Sequence, residues 1–304
     1  MLAITIATCV AEPMSPTLLQ IIVLGVIQGA AELLPVSSSA HVIVAEKLMH
    51  LDPSSPEMTF LLIMLHTGTM FAVIAYFWKS WRSHFLSTTS TLRTFLVRIV
   101  AATIISGVVY LVIKKILGKT VLHSGDVEEL FSNLTLVAGS LAAAGVLILV
   151  AGLASKRPAA ADSGGDGPGT LSGGTAMAIG FVQGVCLPFR GFSRSGATIS
   201  TGMLLGVGRR QAEEFSFALA VLVTPPAIGQ EFLRLLKARA SAGAPLHGAA
   251  LAVPGLIGMV AAFVAGLVAL RWLSRWLEEG RWHYFGVYCL VAAVGIWTLA
   301  HAGY

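Results

Sequence analysis

Gly25-Val-Ile-Gln28-Gly29-Ala-Ala-Glu32-Leu-Leu-Pro35-Val-Ser37-Ser38-Ser39-Ala-His41 and Gly180-Phe-Val-Gln183-Gly184-Val-Cys186-Leu-Pro188-Phe-Arg190-Gly191-Phe-Ser193-Arg194-Ser195-Gly-Ala-Thr198 are two versions of one pattern. Each is an apolar segment that carries Gly-x-x-Gln-Gly, is interrupted by proline, and resumes after a Ser-x-Ser string. The glutamines stand 155 positions apart and the leading serines 156, so the copies slip by one residue over the motif. Three long apolar runs follow each copy. After the first come Met58–Trp78, Thr94–Ile113 and Leu130–Ser155, and after the second Phe215–Gln230, Ala240–Leu270 and Trp282–Tyr304. Runs of this length and apolarity read as membrane spans.

Composition points the same way. Of the 304 residues 12% are charged and 56% hydrophobic, and the mean hydropathy is +0.81. Too little polar surface exists to cover a water-soluble globule of this size, which excludes a soluble enzyme. The net charge of +5 is distributed as short clusters between apolar runs, the pattern of flanking anchors and not of a nucleic-acid surface. Cys9, Cys186 and Cys289 are an odd set and supply neither a disulfide framework nor a zinc site. Residues 1–12 are apolar but have no Lys or Arg ahead of them, so no cleaved signal peptide is expected.

These observations predict an all-α polytopic membrane protein. It is one integral membrane domain over 1–304, with a first repeat at 13–155, a hydrophilic linker at 156–172 and a second repeat at 173–304. If each broken segment enters and leaves on one side, each half crosses three times, and the repeats are inverted in topology. Each is then a re-entrant helix pair plus three transmembrane helices. Interrupted segments at matching positions of inverted halves mark a site near the midplane, because irregular backbone is tolerated in a bilayer only where it is enclosed.

The first break puts Gln28 and Glu32 four apart, on one helix face. A carboxylate within lipid is expensive and is by default functional. The serine run with His41 three residues past Ser38 offers a hydroxyl and an imidazole, the pairing that activates a nucleophile. A second reading has the serines capping a new helix after Pro35 and His41 packed inside. The second break places Arg190 and Arg194 among glycine and serine ahead of a helix, the chemistry of a phosphate site. His66, in mid-span, is a further candidate near the site or a bond to a neighbouring helix. Glu213 and Glu214 read as interfacial, and Pro225-Pro226 as a break in the helix they occupy. Trp78, Trp81, Trp272, Trp276 and Trp282 read as interfacial belts.

The two segments together resemble the undecaprenyl-pyrophosphate phosphatase family of the bacitracin-resistance type. Gln28, Glu32, Pro35, Val36, Ser37, Ser38 and His41 match its first motif, and Gly191, Ser193, Arg194, Ser195 and Thr198 its second. Arg190 stands where the family has Pro, and Gln28 takes the amide where a carboxylate also occurs. The resemblance implies hydrolysis of a polyprenyl diphosphate to the monophosphate by a multi-pass protein of the bacterial inner membrane. That reaction recycles the lipid carrier of cell-wall synthesis. It implies Glu32, Ser38, His41 and Arg194 as catalytic, with Ser38 or His41 as nucleophile. Gln28, Ser37, Ser193, Ser195, Thr198 and Gln183 would bind substrate. Glu32 with Gln28 would hold a divalent cation, Mg²⁺ or Ca²⁺. The implied partners are the lipid substrate and membrane lipid, without nucleic acid, and a homodimer is an expectation. A transporter of polyprenyl phosphate would use the same anion site, but has little use for Glu32 and His41 together.

Overall fold

A computed structural model describes residues 16–53, 55–120, 133–155, 171–241 and 248–302, and these contain helices and no strand. Most of the linker expected at 156–172 lies outside the described residues, as do residues 1–15. The helices are α1 (Leu18–Leu33), α2 (Ser38–Leu48), α3 (Pro56–His84), α4 (Thr89–Thr120), α5 (Leu134–Ala154), α6 (Gly173–Cys186), α7 (Arg194–Leu204), α8 (Arg209–Ser241), α9 (Gly248–Glu278) and α10 (His283–His301). Helices α3, α4, α5, α8, α9 and α10 are each long and apolar enough to cross a membrane. The other four are the two broken segments.

Local sequence explains where the helices begin. Thr17 and Gln20 form a capping box on α1. Ser55 caps α3 ahead of Pro56, and Asn133, Ser172 and Ser193 cap α5, α6 and α7 through their side chains. Each cap satisfies one backbone donor that no earlier turn can serve.

At 16 residues α1 is ~24 Å long, and α2 with 11 is shorter still, so neither spans a bilayer alone. Gln20 near the start of α1 donates to the Met49 carbonyl just past the end of α2, at 3.3 Å. The first pair is therefore a hairpin whose open ends meet and whose tip is the Pro35 turn. The second pair also packs face to face, with Ile179 of α6 against Gly202 of α7.

What holds the hairpins in place is a set of very close helix crossings. Helix α1 packs on α9, and α6 on α4. A Cβ at Gly29 would lie 2.4 Å from the Ala262 carbonyl oxygen, and one at Gly180 would lie 2.4 Å from that of Ala102. Gly25 faces Gly258 and Ala261 in the same way, and Gly184 faces Ser106. The Gly-x-x-Gln-Gly string is thus the contact surface of each hairpin, allowing backbones to approach where side chains would hold them apart. Each half lends the long helix on which the other half's hairpin lies.

Three expectations change. Helix α8 continues through Pro225 and Pro226 instead of breaking there; in apolar surroundings the flanking turns keep the ladder, and Thr224 adds a side-chain bond to the Ala220 carbonyl at 2.7 Å. Trp282 is fully buried and donates to Ser200 Oγ at 2.9 Å, and Trp81 is buried too, donating to the Glu214 carbonyl, so neither belongs to an interfacial belt. Glu213 and Glu214 are buried rather than interfacial. Glu214 is bound by Ser80, Arg210 and His84, and Glu213 by Ser274, beside a cavity of about 400 Å³. Next to them Arg209 reaches the Ser155 carbonyl at 2.6 Å and that of Glu278 at 3.2 Å, joining the C-terminal ends of α5 and α9.

The crossings carry a test. Gly180→Ala forces the methyl group into the Ala102 carbonyl, so the thermal unfolding midpoint of the solubilised protein should fall by the equivalent of about 1–3 kcal/mol. Gly107→Ala, on the facing helix α4, meets nothing within 4 Å and should leave the midpoint unchanged or raise it. Equal midpoints for the two variants would contradict the close α4–α6 crossing.

Candidate active site

The first residue of α2 is Ser38 and the first of α7 is Arg194. The two hairpin tips therefore present the same helical position to one another, and both side chains end on one carboxylate. Arg194 Nη2 lies 2.8 Å from Glu32 Oε1. The Ser38 hydroxyl donates to Glu32 Oε2, and Gln28 Nε2 donates to the same oxygen at 3.2 Å. Glu32, in the last turn of α1, is thus held by its own helix, its own hairpin partner and the opposite hairpin. His66 of α3 lies near Glu32, with its Nδ1 tied to the Leu62 carbonyl at 2.8 Å.

The pair is only partly enclosed, with side-chain exposures of 23% for Arg194 and 17% for Glu32. A ligand can therefore reach it. Two helix N-termini, a guanidinium and a serine hydroxyl converge there, which is an electrophilic environment suited to phosphate oxygens.

The backbone at both tips is shaped for this meeting. Ser37, a non-glycine residue at φ 67, turns the chain from Pro35 into α2. Gly191 at φ 99 turns the second tip, and a Cβ there would lie 2.3 Å from the Val137 carbonyl oxygen, so α5 supports that loop from behind. Ser195 reaches across to the Leu34 carbonyl at 3.5 Å, a further link between the tips.

The remaining candidates are placed differently. His41 is not on the Ser38 hydroxyl; its Nδ1 is bonded to the Ser37 carbonyl at 2.8 Å and its Nε2 to Tyr288 at 2.7 Å. Ser193 caps α7 through Gly196, and Thr198 bonds to the Arg194 carbonyl and to Ser216. Gln183, the counterpart of Gln28, is fully buried in the α4–α6 crossing and donates to Ser106 at 3.3 Å. Its neighbour at i+4 is Leu187, where Gln28 has Glu32, so only one hairpin carries the acid. Arg190 is exposed and acts electrostatically on the buried Glu46 of α2. Tyr288 and Cys289 were not among the sequence candidates. The hint available was a phenol and a thiol side by side within an otherwise apolar span.

The Glu32–Arg194 contact also carries a test. Arg194→Gln leaves a partly buried carboxylate without its cation and should lower stability by about 1–3 kcal/mol. The double variant Glu32→Gln with Arg194→Gln should recover part of that loss in the same thermal unfolding assay. Strictly additive losses would show that the two side chains are not coupled.

Both motifs thus meet at one cluster, and the chain's similarity to known proteins extends over both of them. Residues 21–295 match the family described as bacitracin resistance protein BacA. The chain is 53% identical to undecaprenyl-diphosphatase 2 of Acinetobacter baylyi, over 93% of this chain and 98% of that protein. It is 30% identical to undecaprenyl-diphosphatase of Parabacteroides distasonis, over 92% of this chain and 96% of that one, and 33% identical to that of Desulforapulum autotrophicum, over 91% and 96%. With the match running from α1 into α10 and so through both hairpin tips, the chain belongs to the bacitracin resistance protein BacA family.

Proposed function

We propose that the protein hydrolyses undecaprenyl diphosphate to the monophosphate and inorganic phosphate within the bacterial inner membrane, with Ser38 as nucleophile and Glu32 as its base. The observation that carries the assignment of roles is the shared carboxylate: Glu32 accepts the Ser38 hydroxyl on one oxygen and Arg194 on the other. A serine whose proton already points at a carboxylate is an activated nucleophile. His41, with both ring nitrogens engaged elsewhere, is less suited to that part.

In the proposed reaction the diphosphate docks at the paired N-termini of α2 and α7, and Arg194 turns its free N–H groups to the terminal phosphate. Ser38 Oγ bonds to the terminal phosphorus as its proton passes to Glu32, and the bridging P–O bond breaks to release the lipid monophosphate. Water then attacks the phosphorylated serine. Glu32, having passed its first proton to the departing lipid monophosphate, takes one proton from this water and returns it to the serine oxygen as the Ser38 O–P bond breaks, and inorganic phosphate departs. Arg194 stabilises the charge that spreads over the phosphoryl oxygens in both steps.

Among the described residues no three His, Cys, Asp or Glu side chains converge as a metal cage. Glu32 and the Gln28 amide suit a hard cation that takes most of its ligands from phosphate and water, as Mg²⁺ does. Bound there, Mg²⁺ or Ca²⁺ would neutralise diphosphate charge. For the isoprenoid chain we assign the groove of about 530 Å³ lined by Leu136, Gly139, Ala143, Phe189 and Phe192, since Phe192 stands two residues from Arg194. The hairpin closure and the exchanged long helices support the inverted-topology reading. A homodimer is not required by any of these roles.

Ser38→Ala should lower phosphate release from undecaprenyl diphosphate by at least 10²-fold, with folded yield retained. Arg194→Lys, which keeps the charge but loses the fork, should be badly impaired, whereas Arg190→Ala should retain most activity. A Ser38→Ala enzyme of normal turnover would remove serine from the nucleophile's role, and no release by wild type on any polyprenyl diphosphate would overturn the hydrolase reading.

The cation has a separate test. Gln28→Glu replaces a donor to Glu32 with a second carboxylate, so its turnover should depend more steeply on added Mg²⁺ than that of wild type, and strong chelator should suppress both. Turnover indifferent to chelator in both proteins would exclude the cation.

A further inference from the structure

We infer that Tyr288 is a positioning residue for the reaction, acting through His41 to hold Ser38 against Glu32. The inference rests on the hydrolase reading above. His41 Nδ1 faces a carbonyl oxygen, that of Ser37, at 2.8 Å. Only an N–H can satisfy that partner, so the neutral ring presents Nε2 as an acceptor. The Tyr288 hydroxyl fills it at 2.7 Å. The two rings are also stacked, with centroids 5.7 Å apart and planes at 14°. The imidazole is therefore fixed in tautomer by the Ser37 carbonyl, and in position and orientation by one side chain from α10.

What it holds is a strained turn. Ser37 sits at φ 67 and ψ 96, a conformation that costs a non-glycine residue on the order of 1–3 kcal/mol, and its side chain makes no cap bond to α2. The Ser37 carbonyl is gripped instead by His41. One residue further on, Ser38 begins α2 with its hydroxyl on Glu32. Relaxation of Ser37 would rotate that hydroxyl away. The chain of contacts is Tyr288 to His41, His41 to the Ser37 carbonyl, and Ser37 to the direction of Ser38.

Helix α10 is a firm base for this. Cys289, next to Tyr288, donates to the Pro35 carbonyl at 3.3 Å, so two consecutive residues grip the same turn. Helix α10 is itself locked on α5, where a Cβ at Gly286 would lie 2.6 Å from the Leu149 nitrogen. The last span of the chain thereby sets the geometry of a turn near its beginning.

The test is Tyr288→Phe, which keeps the ring and deletes only the hydroxyl. Phosphate release from undecaprenyl diphosphate should show kcat lowered on the order of 10-fold with KM unchanged, because the nucleophile and not the anion site is disturbed. In ¹⁵N-histidine NMR spectra of the solubilised protein the His41 Nε2 resonance, assigned with His41→Asn, should move in Tyr288→Phe. An unchanged kcat beside an active wild type overturns the inference alone. So does a lowered kcat with the His41 resonance unmoved, since Tyr288 would then act only through packing of α10. Should Tyr288→Phe fold poorly, the wild-type spectrum decides: a His41 Nε2 at the position of a ring nitrogen without a donor overturns the inference. A wild type that releases no phosphate overturns the hydrolase reading and this inference with it.

Discussion

An ionised carboxylate withdrawn from bulk water costs several kcal/mol unless its oxygens are met by donors or cations, and Glu32 is met by three. No single element of the chain could supply them all. Gln28 comes from the same helix, Ser38 from the far side of the Pro35 turn, and Arg194 from a hairpin encoded 156 positions after Ser38. Satisfying one charge therefore requires both hairpins to be formed, to meet tip to tip, and to be held at that distance by the helices around them. The same donors that settle the carboxylate are the groups a phosphoryl transfer needs, so structural necessity and chemistry fall on one set of atoms.

The surrounding packing answers that demand through small residues. Glycines and alanines at the α1–α9 and α4–α6 crossings bring backbones close enough that neither hairpin can slide along its partner. Lipid offers no hydrophobic drive for helices to associate, so shape fit and interhelical hydrogen bonds must do it. Ser106, which bonds both to the Gly180 carbonyl and to Gln183, is an example of the latter. Gln28 and Gln183 have diverged within this common frame: one supports an acid in the site, the other rivets a crossing.

Much of this was legible in the sequence because its signals are local. Proline inside an apolar run, serine ahead of a helix and the duplicated Gly-x-x-Gln-Gly string each act within a few residues, and they identified the hairpins, their tips and the equivalence of Ser38 with Arg194. What escaped depends on partners distant along the chain. His41 could be paired on paper with the nearby Ser38, but its partner is Tyr288, 247 positions away. Trp282 was read from its place at a span end, yet Ser200 and the α5–α10 packing bury it. Glu213 and Glu214 looked interfacial by the same logic until Arg210, Ser80 and Ser274 closed over them. Pro225 and Pro226 carry a strong breaking signal, but in an apolar medium an open helix costs more than two missing donors.

The exchange of long helices between the halves has a temporal side. Helix α1 leaves the ribosome long before α9, the surface it is cut to fit, and the guanidinium that neutralises Glu32 arrives only with α7. Through most of synthesis a glycine-lined helix with an amide and a carboxylate on one face must wait in the bilayer without its partners. Once assembled, neither half can withdraw without exposing the other, so the protein is interlocked as much as it is packed. A chain built this way trades autonomy of its parts for a charged centre that exists only once both hairpins have been made.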